Sequence, residues 1–375
     1  MEQIPSPSPL TPPHTEEDWI GWLRLLRSHR VGPVTFRKLL VQFGSAGAAL
    51  DALPGLAKSS GSPRYTPCSE ADARRELDLG RAAGARPVAL GSDLYPAALT
   101  ELPDAPPLLW LRGHPELLHR PTIGMVGARN ASTLGRRMAA SLAHGVGAAG
   151  YVVASGLARG IDGACHEAAL ETGTVAVIAG GIDIAYPPEH EVLMARIAAR
   201  GLLISARQPG LSPTARDFPR RNRIIAGLSR AVIVVEAALK SGSLITARDA
   251  LDLGREVLAV PGHPFDGRAG GCNALIRDGA TLIRGPRDVL DHLTVESPAS
   301  RPEPPITDSP PLRASSGDLA RRILDHLGQT PTPEDLLIRD LGLPAAEVAR
   351  QLTLLELSGQ IARDPGGGVL LQPPS

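Results

Sequence analysis

The feature that most constrains the fold is an alternation of short β-rich runs and amphipathic helical patterns over about residues 105–293. Segments such as Arg136–Ala149 and Ser243–Leu253 separate most of the runs. Because apolar strands alternating with helices favour a mostly parallel sheet covered on both faces, the pattern predicts an α/β, Rossmann-like, doubly wound core. Ligands of such sheets bind at the carboxyl ends of the strands. The predicted strands are Thr122–Val126, Tyr151–Ala154, Thr174–Ala179, Leu202–Ser205, Ala231–Glu236, Glu256–Val260 and Thr281–Ile283.

Proline-rich stretches divide the chain into several parts. The 375 residues are enough for two or three domains of roughly 100–200 residues each. Residues 1–15 carry many prolines and no apolar signal-peptide core, so we expect a disordered tail there, and residues 294–315 resemble a semi-rigid linker. We predict a small helical domain over residues 16–66, an extended Rossmann-like domain over residues 67–293 and a further domain over residues 316–375.

The first domain has the pattern of short helices. Trp19, Trp22 and Leu23 lie on one apolar face, and Pro33 suits the first position of the next helix. Helices joined by a glycine turn could form a helix-hairpin-helix DNA-binding module. The turn Arg30-Val31-Gly32-Pro33 contains a single glycine, however, which favours a packing or protein-contact domain.

The last domain has the outline of a winged helix, with three helical patterns followed by a glycine-containing hairpin. Its third helix has Arg350 as its only basic residue, against Glu347 and Glu356. A recognition helix that grips phosphates should be more basic, so this charge count favours a protein-contact or auxiliary role over groove reading. The helical patterns are Gly317–Leu327, Pro333–Leu341 and Pro344–Ser358, and the hairpin runs from Gln360 to Leu371.

Composition excludes several classes of protein. Lys and Arg together number 39, as do Asp and Glu, which excludes a globally basic nucleic-acid binder but leaves room for a local basic patch. The three cysteines form no CxxC pair, which argues against a disulfide scaffold or a zinc ribbon and favours a cytoplasmic protein with reduced thiols. No apolar run reaches about 18 residues, so no membrane span is expected. With three Trp, four Tyr and four Phe, any base-stacking platform must use few rings or Arg planes.

Two of the segments that follow predicted strands contain glycine turns. In Val126-Gly127-Ala128-Arg129-Asn130, Arg129 stands where a dinucleotide motif has its second glycine, and a charged group there could contact a phosphate. The segment Ser155-Gly156-Leu157-Ala158-Arg159-Gly160-Ile161-Asp162 leads into a helix, so its backbone N–H groups could converge on an anion. It lacks the Lys-Ser/Thr pair of a P-loop, and we expect Asp162 to cap the helix.

Two further segments add cations at the same predicted sheet edge. Asp217-Phe218-Pro219-Arg220-Arg221-Asn222-Arg223 has three arginines within four positions, and arginine both pairs with phosphates and stacks on bases. A structural ion-pair network is the alternative. Lys240-Ser241-Gly242-Ser243 also opens a helix, and a plain N-cap by Ser243 is the alternative there. Four anion-suited segments at one edge predict a long polyanion as the ligand rather than a single phosphate.

No complete catalytic constellation is visible. The HExxH and GxSxG motifs and any metal-ligand cluster are absent from the sequence. Cys165 and His166 are adjacent rather than on one helix face, which argues against a catalytic pair. An enzyme acting on a nucleotide, with Asp162 or Glu236 as its acid, remains the alternative from another class, and a pure assembly scaffold is a third.

The motifs resemble those of the bacterial DNA-processing protein A family, also called DprA or Smf. The match covers about Ala105 to Ile283 in order, and the N- and C-terminal domains resemble the family's SAM-like and winged-helix domains. It is carried by Val126-Gly127-Ala128-Arg129, Ser155-Gly156-Leu157-Ala158-Arg159-Gly160-Ile161-Asp162, Phe218-Pro219-Arg220-Arg221-Asn222-Arg223-Ile224-Ile225-Ala226-Gly227-Leu228-Ser229, Ser241-Gly242-Ser243-Leu244-Ile245-Thr246-Ala247 and Val260-Pro261-Gly262.

This resemblance implies a non-enzymatic, cytoplasmic, dimeric protein that needs no cofactor. It implies binding and protection of single-stranded DNA and loading of the RecA recombinase in natural transformation, with double-stranded DNA as a further ligand left open. Leu203-Ile204-Ser205 is usually followed by Glu in the family, but Ala206-Arg207 follows here, and Arg207 could add a phosphate contact. The implied DNA-binding residues are Arg129, Ser155, Gly156, Arg159, Gly160, Phe218, Arg220, Arg221, Asn222, Arg223, Lys240, Ser241, Gly242 and Ser243.

Overall fold

The structure, a computed structural model, describes residues 11–59, 64–295, 316–327, 332–343, 345–358, 360–363 and 368–372. It divides into two compact units, Met1–Pro298 and Ala299–Ser375. Most of the expected tail and linker, residues 1–10 and 296–315, lies outside the described residues. The helices of the first unit are α1 (Glu16–Arg27), α2 (Pro33–Phe43), α3 (Ala46–Ser59), α4 (Glu70–Ala82), α5 (Ala97–Thr100), α6 (Thr133–Ala148), α7 (Ile161–Ala169), α8 (Glu191–Arg200), α9 (Asp217–Leu228), α10 (Ser243–Asp252), α11 (Gly270–Arg277) and α12 (Pro286–Val295).

One nine-stranded sheet forms the centre of this unit, in the order β1-β2-β6-β5-β4-β3-β7-β8-β9. Strands β3 to β9 run parallel, whereas β2 is antiparallel to both β1 and β6. All seven predicted strands are present and the α/β class is confirmed, while β1 and β2 were not predicted. The strands are β1 (Arg86–Ala89), β2 (Leu108–Gly113), β3 (Thr122–Val126), β4 (Val152–Ser155), β5 (Thr174–Ile178), β6 (Leu202–Ser205), β7 (Ala231–Val234), β8 (Glu256–Ala259) and β9 (Thr281–Leu282).

The strand order reverses at β3. From β3 the chain adds β4, β5 and β6 on one side and then returns to place β7, β8 and β9 on the other. The helices after β3 and β7 therefore leave the sheet on opposite faces, which opens a crevice at the carboxyl ends of these two neighbours. This is the place where an open α/β sheet binds its ligand.

Helices cover both faces of the sheet. Alternate residues of each strand point to opposite sides, so side chains of one strand pack against helices on both faces. Residues such as Ala154 and Val232 pack against α5, α9, α10 and α11 on one face. Residues such as Met125 and Val153 pack against α6, α7 and α12 on the other. Towards β2 and β6, α8 and the N-terminal helices cover that second face.

Helix α4 fastens the N-terminal helices to the sheet. Its buried Glu76 accepts two hydrogen bonds from the Arg27 guanidinium, at 2.6 and 2.8 Å, and one from Trp110 Nε1 at 3.3 Å. Arg27 of α1 and Trp110 of β2 thus bind the same carboxylate. Gly80 lies so close to the Trp110 ring that a Cβ at this position would overlap it. These contacts fix α4 against both α1 and the sheet.

Helices α2 and α3 complete the predicted helical N-terminal domain. Phe36, Leu40 and Leu50 are buried in the same apolar cluster as Leu23 of α1. Gly44 ends α2 with a φ of 77°, in the left-handed region that glycine adopts without strain. Among the described residues no single helix is long and apolar enough to cross a membrane; α2 and α3, bent by 106°, pass that test only when taken together.

The second unit has the predicted winged-helix arrangement of three helices and a small sheet. Ile323, Leu337 and Val348 come from the three helices and are buried in one cluster. The tip of the predicted hairpin, residues 364–367, lies outside the described residues. The elements are α13 (Ser316–His326), β10 (Thr332–Pro333), α14 (Glu334–Leu341), α15 (Ala345–Leu357), β11 (Ile361–Arg363) and β12 (Gly368–Leu371), with the antiparallel strands in the order β10-β12-β11.

Candidate nucleic-acid interface

A cavity of about 640 Å³ opens in the crevice at the carboxyl ends of β3 and β7. This volume lies within the range of roughly 300–1,000 Å³ that is usual for ligand sites. A smaller cavity of about 80 Å³ adjoins it, shares Arg129, Phe218 and Arg221 with it, and adds Gly156 and Arg159. We call the two together the cationic cavity. The predicted residues that line the larger part are Arg129, Phe218, Arg221, Asn222, Lys240, Ser241, Gly242 and Ser243.

Arg221 places a guanidinium on the floor of the cationic cavity. The residue is only 5% exposed, yet it lines both parts of the cavity. Its Nη1 lies 3.9 Å from Asp162 Oδ2 and donates a long hydrogen bond of 3.5 Å to the Val177 carbonyl. Its Nε has no hydrogen-bond partner among the described residues. Because the residue lines the cavity, an anion that entered it could make a charge-assisted contact with this guanidinium.

Gly156 makes room for this guanidinium. A Cβ at Gly156 would overlap Arg221 Nη1 and crowd the rest of the group. Burial lowers the pKa of Arg221 and raises that of Asp162, while the attraction between the two groups opposes both shifts. The glycine in the segment after β4 therefore serves the side chain of α9 rather than a bound anion directly.

The backbone N–H groups of the segment after β4 are already occupied. Gly156 and Ala158 donate to Asp162 Oδ2, at 3.1 and 3.3 Å, and Leu157 donates to His166 Nε2 at 3.3 Å. The expectation that these three amides converge on an anion is therefore wrong. Asp162 and His166 are one helical turn apart on α7 and face the segment together. The side chains of these two residues hold the shape of the segment and occupy its three amides.

Asp162 does not cap α7 from outside, contrary to our expectation. Gly160 occupies the N-cap position, and Asp162 lies in the first turn with its carboxylate directed back at the preceding segment. The Thr174 hydroxyl donates its hydrogen to the Val153 carbonyl, so it can only accept from His166. His166 Nδ1–H therefore donates to Thr174 Oγ1, at 2.7 Å. His166 is thus neutral, with its proton on Nδ1. Burial lowers its pKa to about 3.

Phe218 provides an aromatic face inside the cavity. The Arg129 Cζ atom lies 5.2 Å from the centre of the Phe218 ring, a distance suited to a cation–π contact. The centre of the Tyr186 ring lies 5.5 Å from that of the Phe218 ring, and the two ring planes are inclined by 54°. Tyr186 is 45% exposed and was not predicted as a site residue. A ring with a guanidinium over it offers flat surfaces on which an unpaired base can stack.

Lys240 and two serines form the wall on the side of β7. Lys240 is exposed at the mouth, and Ser241 Oγ lies 2.7 Å from Ser243 Oγ. Gly242, rather than Ser243, takes the N-cap position of α10. Because the amino end of α10 opens on the cavity, its partial positive charge adds to that of Lys240.

The three arginines of α9 do not act together. Successive helical residues are rotated by about 100° around the axis, so neighbouring side chains point in different directions. Arg220 is exposed and does not line the cavity. Arg223 is turned to Asp104 and Asp249, at 2.6 and 3.8 Å. For Arg223 the structure therefore shows the ion-pair alternative, and Arg221 alone of the three reaches the cavity.

Two more predicted residues support the cavity without lining it. Ser155 is buried and its hydroxyl donates to the Met125 carbonyl at 2.6 Å, which ties β4 to β3. Gly160 has a φ of 76° and lies so close to the carbonyls of Ala128 and Arg129 that a side chain would overlap them. Both residues hold the two strand-end segments together.

The remaining candidate cations are ion-paired. Arg159 lines the smaller part of the cavity and bonds Glu189, which lowers the pKa of that carboxyl to about 2. Arg207, suggested as an extra phosphate contact, lies 3.3 Å from Asp217 Oδ1 and is not part of the cavity lining. Of these two arginines, only Arg159 lines the cavity.

The acids of the enzymatic alternative have structural partners. Glu236 accepts hydrogen bonds from the Ser132 N–H and hydroxyl, at 3.1 and 2.7 Å, at the start of α6. It also lies 3.6 Å from Arg268, a cavity residue that was not predicted, although it follows β8 at the same sheet edge. Within the described part of the chain, no group of three or more His, Cys, Asp or Glu side chains could hold a metal ion.

Family models match all three parts of the chain. The model for DNA recombination-mediator protein A matches residues 86–294, and that for the DprA winged helix domain matches residues 307–367. The model for the DprA-like N-terminal HHH domain matches residues 16–78, which supports the helix-hairpin-helix alternative over the packing domain favoured from the single glycine.

Individual relatives agree with these matches. Protein Smf of Escherichia coli is 38% identical over 284 residues, covering 75% of this chain and 76% of the relative. DNA processing protein DprA of Streptococcus pneumoniae is 45% identical over 200 residues, covering 53% and 71%.

Two solved structures are also similar to this chain. The structure of DNA processing protein A from S. pneumoniae matches with a TM-score of 0.58 at 33% identity, over 73% of this chain and 92% of that one. That of DNA processing protein A from Helicobacter pylori, described in terms of its single-stranded DNA binding mode, matches with a TM-score of 0.52 at 29% identity, over 57% and 98%. With a family model covering more than half of its length, this chain belongs to the DprA/Smf family of DNA recombination-mediator proteins.

Proposed function

We propose that this protein binds single-stranded DNA in the cationic cavity. One observation carries the proposal: Arg129, Arg221 and Lys240, which come from three separate segments, line one cavity together with Phe218. The described binding mode of the H. pylori relative supports it. We further propose that the protein protects the strand and loads RecA onto it in natural transformation and recombination. In this proposal it acts as a homodimer in the cytoplasm, without catalysing a reaction.

The chemistry of the cavity favours an unpaired strand. The Phe218 ring is half-buried in a crevice, so a base must leave a duplex to lie against it. The cations and the α10 amino end suit phosphates, which every sequence presents alike. We therefore expect strong dependence on salt and little dependence on base sequence.

A titration of labelled oligonucleotides tests the central claim. Fluorescence anisotropy with matched single- and double-stranded DNA, each at two salt concentrations, should give tighter binding of the single strand and weaker binding at higher salt. Equal affinity for the duplex, or an affinity that is independent of salt, would contradict the proposal. Incubation with nucleotides in the same preparation should show no turnover.

Lys240 offers a charge test with a matched control. Replacing Lys240 with Gln should weaken binding about fivefold, since an exposed ion pair contributes up to about 1 kcal/mol. The slope of log affinity against log salt should become shallower by about 0.7, the value for one contact to a single-stranded phosphate. Lys58→Gln removes an exposed lysine from α3, whose residues do not line the cavity, and should change neither quantity.

The finer claims need separate measurements. Sedimentation velocity should show a dimer at micromolar concentration. RecA filament assembly on a single strand, followed with and without the protein, should start faster when the protein is present. A monomer would remove the dimer from the proposal, and unchanged filament assembly would remove RecA loading, while DNA binding would stand on its own titration.

A further inference from the structure

We infer that Phe265, on the segment between β8 and α11, forms a second base-stacking site for the strand as it leaves the cationic cavity. This inference rests on the proposed binding of single-stranded DNA. The ligand would be an unpaired nucleobase, and the site lies outside the lining of both parts of the cavity.

The Phe265 side chain is 94% exposed to solvent. A single exposed apolar side chain is ordinary on a protein surface. Here, however, Leu239 and Ile245, 69% and 44% exposed, follow the neighbouring strand β7 at the same sheet edge. Exposed apolar side chains thus follow two neighbouring strands at this sheet edge, and the Phe265 ring offers a face on which a base loses unfavourable contact with water.

The segment that presents Phe265 is held in one shape. The Asp266 N–H donates to the His263 carbonyl at 2.9 Å, which closes a turn with Phe265 at its tip. The Phe265 N–H donates to His263 Nδ1 at 3.3 Å, and the two ring centres lie 5.5 Å apart, tilted by 39°. These bonds hold the backbone of the turn that presents the ring, so little backbone freedom is lost when a base stacks on it.

The start of the segment is anchored on α11, and its end is held by an ion pair within the segment. At its start, Gly262 exchanges two hydrogen bonds with the Asn273 side chain of α11, at 3.1 and 2.9 Å. At its end, the Arg268 guanidinium donates two hydrogen bonds of 3.1 Å to the Asp266 carboxylate. Hydrogen bonds therefore hold the backbone of the loop that carries the Phe265 ring.

Arg268 connects this loop to the cavity. It is three residues from Phe265, lines the larger part of the cavity, and lies 3.6 Å from Glu236 after β7. Leu239, next to the cavity residue Lys240, lies at the start of α11, where a Cβ on Gly270 would meet it at 3.3 Å. A strand whose phosphates follow Lys240 and Arg268 would thus carry its next bases towards Phe265.

The test compares a strand that has bases with one that lacks them. We would measure the affinity of wild type, F265A and F265W for oligothymidylate and for a strand of equal length made of abasic sites. F265A should weaken thymidylate binding roughly five- to hundredfold, the usual contribution of one stacked base, and should leave binding to the abasic strand unchanged. F265W should restore the affinity. Its added fluorescence, relative to wild type, should be quenched by thymidylate but not by the abasic strand.

The outcomes separate this inference from the function on which it rests. If wild type binds no single strand, the proposed function itself fails. If wild type binds thymidylate and F265A binds it equally well, only the stacking site is overturned. If F265A keeps its DNA affinity but loses self-association in sedimentation velocity, the ring contacts protein and the inference is also overturned. The salt slope of F265A should equal that of wild type, because no charge is removed.

Discussion

Among single residues, Gly156 is the one that makes room for the buried charge of the cavity. Its missing side chain is what allows the Arg221 guanidinium to lie between the segment after β4 and Asp162. The guanidinium lines both parts of the cavity, so a side chain at Gly156 would push it away from Asp162 into that space. In the proposed function, the binding of phosphates in the cavity therefore depends on a residue that would contact no phosphate itself.

We predict that Gly156→Ala abolishes measurable binding of single-stranded DNA. The added methyl group displaces a buried charge, and overpacking of this kind costs about 1–3 kcal/mol of folding stability. Anisotropy and urea unfolding would measure the two effects. Gly47→Ala is the control, because a Cβ there meets nothing within 4 Å and alanine in a helix is favoured by about 0.5–1 kcal/mol. Retained binding by Gly156→Ala would show that binding does not require the Arg221 guanidinium to lie against residue 156.

The pH dependence of stability reports on His166. Its neutral form is required in the folded state, with a pKa of about 3, whereas the unfolded chain takes up the proton near pH 6.5. Stability should thus fall as the pH drops from 6.5 towards 3, because the unfolded state binds more protons. We predict that the loss of free energy of unfolding caused by His166→Gln shrinks by about 2 kcal/mol between pH 7 and pH 5. A loss that is equal at both pH values would contradict this.

At the scale of elements, the sequence predicts strands well where a helix separates them. The runs that became β3 to β9 are apolar and alternate with amphipathic helices, and each was found within two residues of its ends. Strand β1 has four residues and contains Pro87, and β2 pairs antiparallel with β1 and β6. A pattern built on crossover helices has no place for such strands, so both were missed.

The site was predictable as a location but not in its detailed bonding. Motifs that follow strands meet at one sheet edge by topology, and this brought Arg129, Arg221 and Lys240 together. The hydrogen bonds from the loop amides to Asp162 and His166 occur in a segment where Leu157 has a φ of 55°. Leucine rarely adopts a positive φ, so the sequence gives no sign of this backbone conformation. Helical rotation, by contrast, was available from the sequence and would have separated Arg221 from Arg223.

The attachment of α4 gives a prediction for the N-terminal helices. We predict that Glu76→Gln lowers the free energy of unfolding by about 2 kcal/mol, below the usual 3–5 kcal/mol for a broken buried pair because Arg27 is partly exposed. Urea unfolding would measure it. Glu17→Gln, which removes a surface partner of Arg74, should change stability by at most about 1 kcal/mol. Equal effects of the two changes would mean that Glu76 does not fasten α4.

In the whole molecule, the residues of the cationic cavity and of the Phe265 loop all belong to the first unit. We predict that a chain ending at Pro298 folds and binds single-stranded DNA within about twofold of the full chain, with the same salt slope, because each compact unit has its own core. Anisotropy on both chains would show this. A loss of more than about tenfold would assign DNA contacts to the winged-helix unit, in spite of the exposed Glu347 and Glu356 beside Arg350.

Gly160 lies against the carbonyls of Ala128 and Arg129, and the Ile161 N–H donates to the Ala128 carbonyl. The segments after β3 and β4 therefore hold each other in place. Either segment, moved alone into another parallel sheet, would lose these contacts with the other segment. To transfer the proposed binding site to a new scaffold, both turns and the first turn of α7 must therefore be moved together.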